Sequence, residues 1–365
     1  MPRRIRIVSA LLLACAACQA DAPRRHAAFP RAPSAAASDS PAAAGDAGEA
    51  YREPPVHPAA YLVWWTARDD PPRSAWLDAS GGVVASRPGV YVAAGARLWR
   101  WTDGERRVKG LDCRAIRKAH DRGGDPSVPT LTRTTNTSAM VEMASGRRVQ
   151  IFAAGDDDGE APPRVKTWPL AGFGPYLVIA TRGRWDACGA HDLPGEYTAV
   201  LDLLRDTTIA VDDRRVMLRD SAAADAAMHE TANEWERNDE HRGPGSINGW
   251  EAQWRPDGTL QAGYRFGLSA CFWCGDHGEA YYRSVLVPDS VLPGWAAPWA
   301  RAPGPVGRYW QSPEMRRGWR TVHAWARDTA AEDHRFWYLE PGVRTGWSAV
   351  DSANAPRLLA LFRTK

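Results

Sequence analysis

The stretch Leu260-Gln261-Ala262-Gly263-Tyr264-Arg265-Phe266-Gly267-Leu268-Ser269-Ala270 has an apolar side chain at every second position. An extended chain with this period places Leu260, Ala262, Tyr264, Phe266, Leu268 and Ala270 on one face. Just before it, Arg255-Pro256-Asp257-Gly258 joins a proline, which fixes φ, to an Asp-Gly pair suited to a tight turn. Residues 249–270 therefore read as a β-hairpin. The same period recurs at Tyr197, Ala199, Leu201 and Leu203, and further strands are expected over 61–66, 83–86, 91–102, 149–153, 176–181 and 280–287.

One segment departs from this pattern. Residues 221–239 hold Ala, Met228, Glu and Trp235 without an internal Gly or Pro, and Asp220 or Ser221 can cap the N-terminus, so a helix is expected there. The fold class is mainly β: antiparallel β-sheets with this one helix. The run from Gly89 to Trp101 is similar to the edge of a propeller blade, which makes an irregular β-propeller the alternative. No second copy follows at the 40 to 50 residue period a regular propeller requires. The helix suggests a division into a β-rich domain over 59–220, a helix and connection over 221–244, and a Trp-rich β domain over 245–365.

A chain of 365 residues and 40.1 kDa is long enough to bury a substantial core. With 44% apolar and 24% charged residues, the composition argues against an integral membrane protein and a wholly disordered one. Ten of the 18 tryptophans lie from Trp250 onward, and the spacing of Trp310, Trp319, Trp325, Trp337 and Trp347 is too irregular for a repeat. Exposed indoles can stack on sugars, but a Gly- and Ala-rich β protein uses tryptophan chiefly to fill its core, and that reading is preferred.

The net charge of +3 comes from Arg3, Arg4 and Arg6; over residues 18–365 basic and acidic side chains balance at 43 each. With four lysines and no evident basic run, the body carries no footprint for nucleic acid.

Residues 1–6 are basic, and Ile7 to Ala14 form an apolar segment of signal-peptide length, too short to span a bilayer as a helix. The segment ends in Leu12-Leu13-Ala14-Cys15-Ala16-Ala17-Cys18, which resembles the lipobox of bacterial lipoproteins, where cleavage exposes a cysteine that accepts the lipid. Cys18 follows Ala16 and Ala17 and is the preferred lipidation site; Cys15, with Leu12 three residues before it, is the alternative. An A-x-A cut after Ala16, giving a soluble periplasmic or secreted protein, is the competing expectation. Residues 1–17 thus read as a signal peptide. Residues 18–58, dominated by Ala, Pro, Ser and Gly, read as a disordered tether that cannot bury enough apolar surface to offset its ordering entropy. Gln19, rather than Asp, follows Cys18; within the lipoprotein resemblance this implies the outer membrane.

Four cysteines remain in the body: Cys113, Cys188, Cys271 and Cys274. An even count in an oxidising compartment suggests two disulfides, with Cys271 to Cys274 and Cys113 to Cys188 as the expected pairs. The C-x-x-C spacing also fits a redox pair, but the following Gly275-Asp276-His277-Gly278 does not begin a helix that would lower a thiol pKa. Zinc is the alternative cofactor, held by Cys188, His191, Cys271 and Cys274 with His277 as a spare ligand; otherwise no cofactor is expected. Asp156, Asp158 and Glu160 lack the full calcium-loop pattern and read as a solvated turn. His229-Glu230 lacks the second histidine of a zinc-protease helix, and G-x-S-x-G, S-x-x-K and P-loop motifs are missing, so no catalytic residue is assigned.

Tyr176 to Ala180, Cys188-Gly189-Ala190-His191 and Tyr197 to Leu203 together resemble the strand, Gly-Ala-His loop and strand of the β-rich extracytoplasmic domain in lysozyme-binding anti-sigma factors and related envelope lipoproteins. Asp257-Gly258 with its following strand, and Val285-Leu286-Val287-Pro288, are similar to that domain's C-terminal part. The resemblance covers about a third of the chain and departs at Cys188, where glycine is usual, and at the extra C-x-x-C. It implies a binding module without the anti-sigma role. The expected function is a lipid-anchored envelope protein with a non-catalytic body that binds an envelope protein or saccharide. An exported hydrolase of envelope polysaccharide or peptide is the alternative, and a metal-binding envelope protein the second alternative.

Overall fold

The structure, a computed structural model, describes residues 57–67, 70–112, 114–115, 118, 130–152, 164–186, 192–209, 246–268, 281–286, 292–319 and 343–364. Its strands are β1 (Ala60–Ala67), β2 (Arg73–Asp78), β3 (Val83–Pro88), β4 (Tyr91–Ala94), β5 (Arg97–Leu111), β6 (Thr130–Glu142), β7 (Arg148–Phe152) and β8 (Arg164–Phe173). They continue with β9 (Tyr176–Asp186), β10 (Asp192–Asp202), β11 (Thr207–Ile209), β12 (Ser246–Trp254), β13 (Leu260–Leu268), β14 (Tyr281–Leu286) and β15 (Val343–Val350). The protein is mainly β, as its alternating segments require.

The eight-stranded sheet has the order β11-β10-β9-β8-β15-β1-β2-β3. In its interior lies β1, where Tyr61-Leu62-Val63-Trp64-Trp65 is apolar at every position because both faces are covered. Tyr61, Val63 and Trp65 join one core cluster, while Leu62 and Trp64 join clusters on the opposite face. The pairing is antiparallel except between β15 and β8, which run parallel through Thr345↔Ala171, Gly346↔Gly172 and Trp347↔Phe173.

Strand β15 joins distant parts of the chain in one sheet. It hydrogen-bonds to β1 over its whole length and to β8 on its other edge, so a C-terminal strand stands inside the sheet built from the N-terminal half. The described residues all belong to one compact unit. The propeller alternative is corrected: among the described residues the sheets have eight, four and three strands, and the segment from Gly89 to Trp101 holds the β4–β5 hairpin of the four-stranded sheet β4-β5-β6-β7. The expected single strand over 91–102 breaks there, because Gly95 adopts φ 58° at the turn.

The four-stranded sheet meets the large sheet through the edge of β4. Tyr91 N donates to Ser74 Oγ at 3.1 Å, Ser74 Oγ donates to Gly89 O at 2.8 Å, and Ala93 N donates to Ser348 Oγ at 2.9 Å. Buried hydroxyls on β2 and β15 thus satisfy edge groups that would otherwise be desolvated without partners. On one side of β4, Val92, Trp99, Trp101 and Met140 pack with Trp64, Leu177 and Leu201. On the other, Tyr91, Ala93 and Leu98 pack with Leu62, Trp76 and the C-terminal helix Ala355–Arg363 through Leu358 and Phe362.

The opposite face of the large sheet carries the three-stranded sheet β12-β13-β14 and the segment 292–319. The β12–β13 hairpin matches the expected hairpin, with Leu260 and Ala262 buried and Gly258 at φ 82° in its turn. The helix expected over 221–239 lies outside the described residues. Among the described residues, helices stand at Gly304–Trp310, 313–319 and Ala355–Arg363, few beside the strands of a mainly β protein. Pro305 and Pro356 occupy the first helical turns, where a missing N–H costs nothing.

Candidate functional site

Every residue singled out for lipidation, disulfide bonding or metal binding lies outside the described residues. These are Cys15, Cys18, Cys113, Cys188, His191, Cys271, Cys274 and His277. Asp156, Asp158, Glu160, His229 and Glu230 lie outside as well. Among the described residues, no group of three or more His, Cys, Asp or Glu side chains is placed to hold a metal ion.

The tryptophans can be placed. Trp254, Trp295, Trp299, Trp310, Trp319 and Trp347 converge from different elements into one buried cluster. Phe173 stacks on Trp295 at 5.7 Å and 17°, Trp299 meets Trp347 at 5.3 Å, and Trp254 meets Trp310 at 5.1 Å. These side chains are at most 7% exposed and form core rather than a sugar-stacking platform. Trp254 also donates its indole N–H to Gly172 O at 2.9 Å, fixing the β8–β15 seam from this side.

Several charged groups hold turns. In the β10–β11 connection, Asp202 is 3% exposed and accepts from Leu204 N at 3.0 Å and from Arg205 Nη1 at 3.1 Å. Asp206, at φ 56°, accepts both oxygens' bonds from Arg97 Nη1 at 3.0 and 2.9 Å, and Arg97 Nη2 donates to the carbonyls of Leu203 and Leu204. This latch ties the start of β5 to the large sheet. Thr259 donates through its hydroxyl and amide to Asp257, holding that carboxyl below its usual range at the tip of β12–β13. The Ser80 hydroxyl, followed by the Gly82 amide, has the same effect on Asp78 in the β2–β3 turn. Burial raises Tyr309, assisted by Glu314 and opposed by Arg73; burial also raises Tyr61, opposed by Arg308.

The outer part of the β5–β6 hairpin carries an exposed face. Strand β4 pairs with β5 only as far as Arg100, and β7 pairs with β6 only as far as Ser138. From Gly104↔Thr137 to Leu111↔Thr130, each strand has only the other as its ladder partner among the described residues. At the usual strand rise this two-stranded arm is roughly 25 Å long. Its root is fixed by Asp103, which accepts from Trp101 Nε1 and Ser138 Oγ, both at 2.9 Å.

The arm has two unlike faces. On one, Thr135 is 3% exposed and Thr137 is half-buried. On the other, the register places Glu105 beside Asn136, Arg107 beside Thr134 and Lys109 beside Thr132, with all six side chains exposed. No ion pair among the described residues uses Arg107 or Lys109. The chain then passes Asp112, which accepts from Ala115 N at 3.1 Å, to the exposed Arg114 and Lys118.

Composition concealed this feature. Although the body is neutral as a whole, residues 106–118 contain Arg106, Arg107, Lys109, Arg114, Arg117 and Lys118 against Asp112 alone. A local window of charge along the sequence exposes the cluster, and strand register then separates Arg107 and Lys109 from Arg106. Compared with protein-family models and with curated proteins, the chain matches none.

Proposed function

We propose that this protein is a lipid-anchored envelope protein of the outer membrane whose β-rich body binds a partner without transforming it. The observation that carries this reading is the basic and apolar segment ending in Cys15 and Cys18, followed by an Ala- and Pro-rich stretch that leads into β1 at Ala60. Such an order provides an address, an acyl acceptor and a long spacer before the folded body. A single acyl chain holds a membrane only weakly, so stable anchoring requires more than one chain at the modified cysteine. In the body, the exposed face of the arm supports a binding role, because Glu105, Arg107, Lys109, Thr132, Thr134 and Asn136 are all exposed on it and no ion pair among the described residues uses Arg107 or Lys109. The body cysteines fit two structural disulfides, Cys271 to Cys274 and Cys113 to Cys188.

The test is metabolic labelling with a radioactive fatty acid, combined with detergent partition. Labelled protein should enter the detergent phase, and replacing both Cys15 and Cys18 by Ser should abolish the label. A mature N-terminus without cysteine, or unchanged labelling in the double variant, overturns the anchoring claim. Single replacements then identify the modified cysteine.

A further inference from the structure

We propose that the exposed face of the β5–β6 arm is a docking surface for an anionic polysaccharide, with Arg107 and Lys109 as its principal contacts. This rests on the reading of the body as a non-catalytic binding module, and it names the class of partner. The two cations stand at alternate positions of one strand, about 6.7 Å apart. Across the ladder lie Thr134 and Thr132, whose hydroxyls are roughly 5 Å away at their bases. The face thus repeats one unit: a cation beside a hydroxyl, then the next cation beside the next hydroxyl.

A linear saccharide with carboxylates spaced along a hydroxylated chain is complementary to that repeat. Carboxylates meet the guanidinium and ammonium groups, and sugar hydroxyls exchange hydrogen bonds with threonine, which both donates and accepts. The exposed side chains follow one another along a two-stranded ladder, so recognition uses several weak contacts along a polymer. Glu105 bounds the face on its inner side, and Arg114 and Lys118 extend positive charge beyond its outer end.

A bilayer surface fits less well. Membrane-surface elements combine cations with apolar side chains that enter the headgroup region. Here the neighbours of Arg107 and Lys109 are Thr132, Thr134 and Asn136, and the large apolar side chains exposed among the described residues, Val83 and Val84, belong to β3.

The experiment measures binding of the full chain, purified in detergent, to immobilised polygalacturonate. Neutral dextran and phosphatidylglycerol vesicles serve as the comparison surfaces. The expected result is retention by polygalacturonate but not dextran, with affinity falling at least tenfold for the pair Arg107→Glu and Lys109→Glu. The exposed pair Arg316→Glu and Arg357→Glu carries the same change in net charge and should remain within twofold of the parent. Raising salt from low to physiological strength should weaken binding, because these charges are open to screening. Circular dichroism establishes that both variants fold. No retention of the parent, equal losses in the two charge-reversed pairs, or retention by vesicles in place of polygalacturonate would each overturn the proposal. Fatty-acid labelling is a separate readout, so failure here leaves the anchoring claim to its own test.

Discussion

Replacing Gly346 by Ala tests the central seam of the fold. A Cβ at this position would lie 2.5 Å from Gly172 Cα, 2.6 Å from Gly172 N and 2.5 Å from Trp64 Nε1. Carbon atoms pack favourably at about 3.5–4.0 Å, so the new methyl needs roughly 1 Å more room. Two of the three obstructing atoms belong to the backbone of β8 and cannot rotate away. The strands must separate, and the β8–β15 pairing consists of three register pairs centred on this residue. Overpacking of this kind costs about 1–3 kcal/mol. Disturbing Gly172 also strains the hydrogen bond its carbonyl accepts from Trp254, which adds about 1 kcal/mol.

A loss of about 3 kcal/mol is thus expected, a large part of the stability of an ordinary domain. At roughly 2–4 °C per kcal/mol, the melting temperature should fall by about 6 to 12 °C. Urea unfolding followed by tryptophan fluorescence should show the same loss as a lower midpoint, because the buried indoles report directly on this core. Gly307→Ala is the matched control: a Cβ there meets nothing within 4 Å, and alanine in the helix Gly304–Trp310 should be neutral or stabilise by up to about 1 kcal/mol. If Gly346→Ala unfolds at the same urea concentration as the parent, the close approach of β8, β15 and Trp64 is not a feature of the folded protein.

Arg97→Met removes the bonds to Asp206 and to the carbonyls of Leu203 and Leu204, and should cost about 2 kcal/mol, less than for a fully buried pair because Arg97 is partly exposed; an unchanged denaturation midpoint would remove the latch from the account. Tyr309 and Tyr61 should resist ionisation in the native state, since burial disfavours phenolate and raises both pKa values above that of an unfolded tyrosine, about 10. Their stabilising contribution is complete below about pH 10 and is lost as pH rises through the folded values, so phenolate absorbance from these two should appear together with unfolding; ionisation of all ten tyrosines with intact circular dichroism would refute it. Non-reducing peptide mapping of exported protein should recover Cys271 linked to Cys274 and Cys113 linked to Cys188, whereas four free thiols with stoichiometric zinc would establish the metal-binding alternative.

What could be read from the sequence follows the range of the forces involved. The hairpin β12–β13 was legible because its turn chemistry and its period of two are local, and β1 was legible because a continuous apolar run needs only two covered faces. Strand β15 lacked such a signal: its place is set by partners that lie hundreds of residues earlier, and no local pattern announces that Trp347 will meet Phe173 or that Gly346 will face Gly172. In β8, Pro169 argues against a strand, and the register shift between Pro169 and Ala171 shows how the sheet accommodates it. Strand β6 reads Thr-Leu-Thr-Arg-Thr-Thr-Asn-Thr at its outer end, with polar side chains at nearly every position, so hydrophobic periodicity is blind to it. That blindness has a physical cause which also bears on function. A strand with one face open to solvent has no need of apolar side chains there, and those positions are free to be chosen for what they meet in solvent. The same composition that hid β6 from a search for core strands left Thr132 and Thr134 exposed opposite Lys109 and Arg107, at the part of the fold where a partner can reach the ladder.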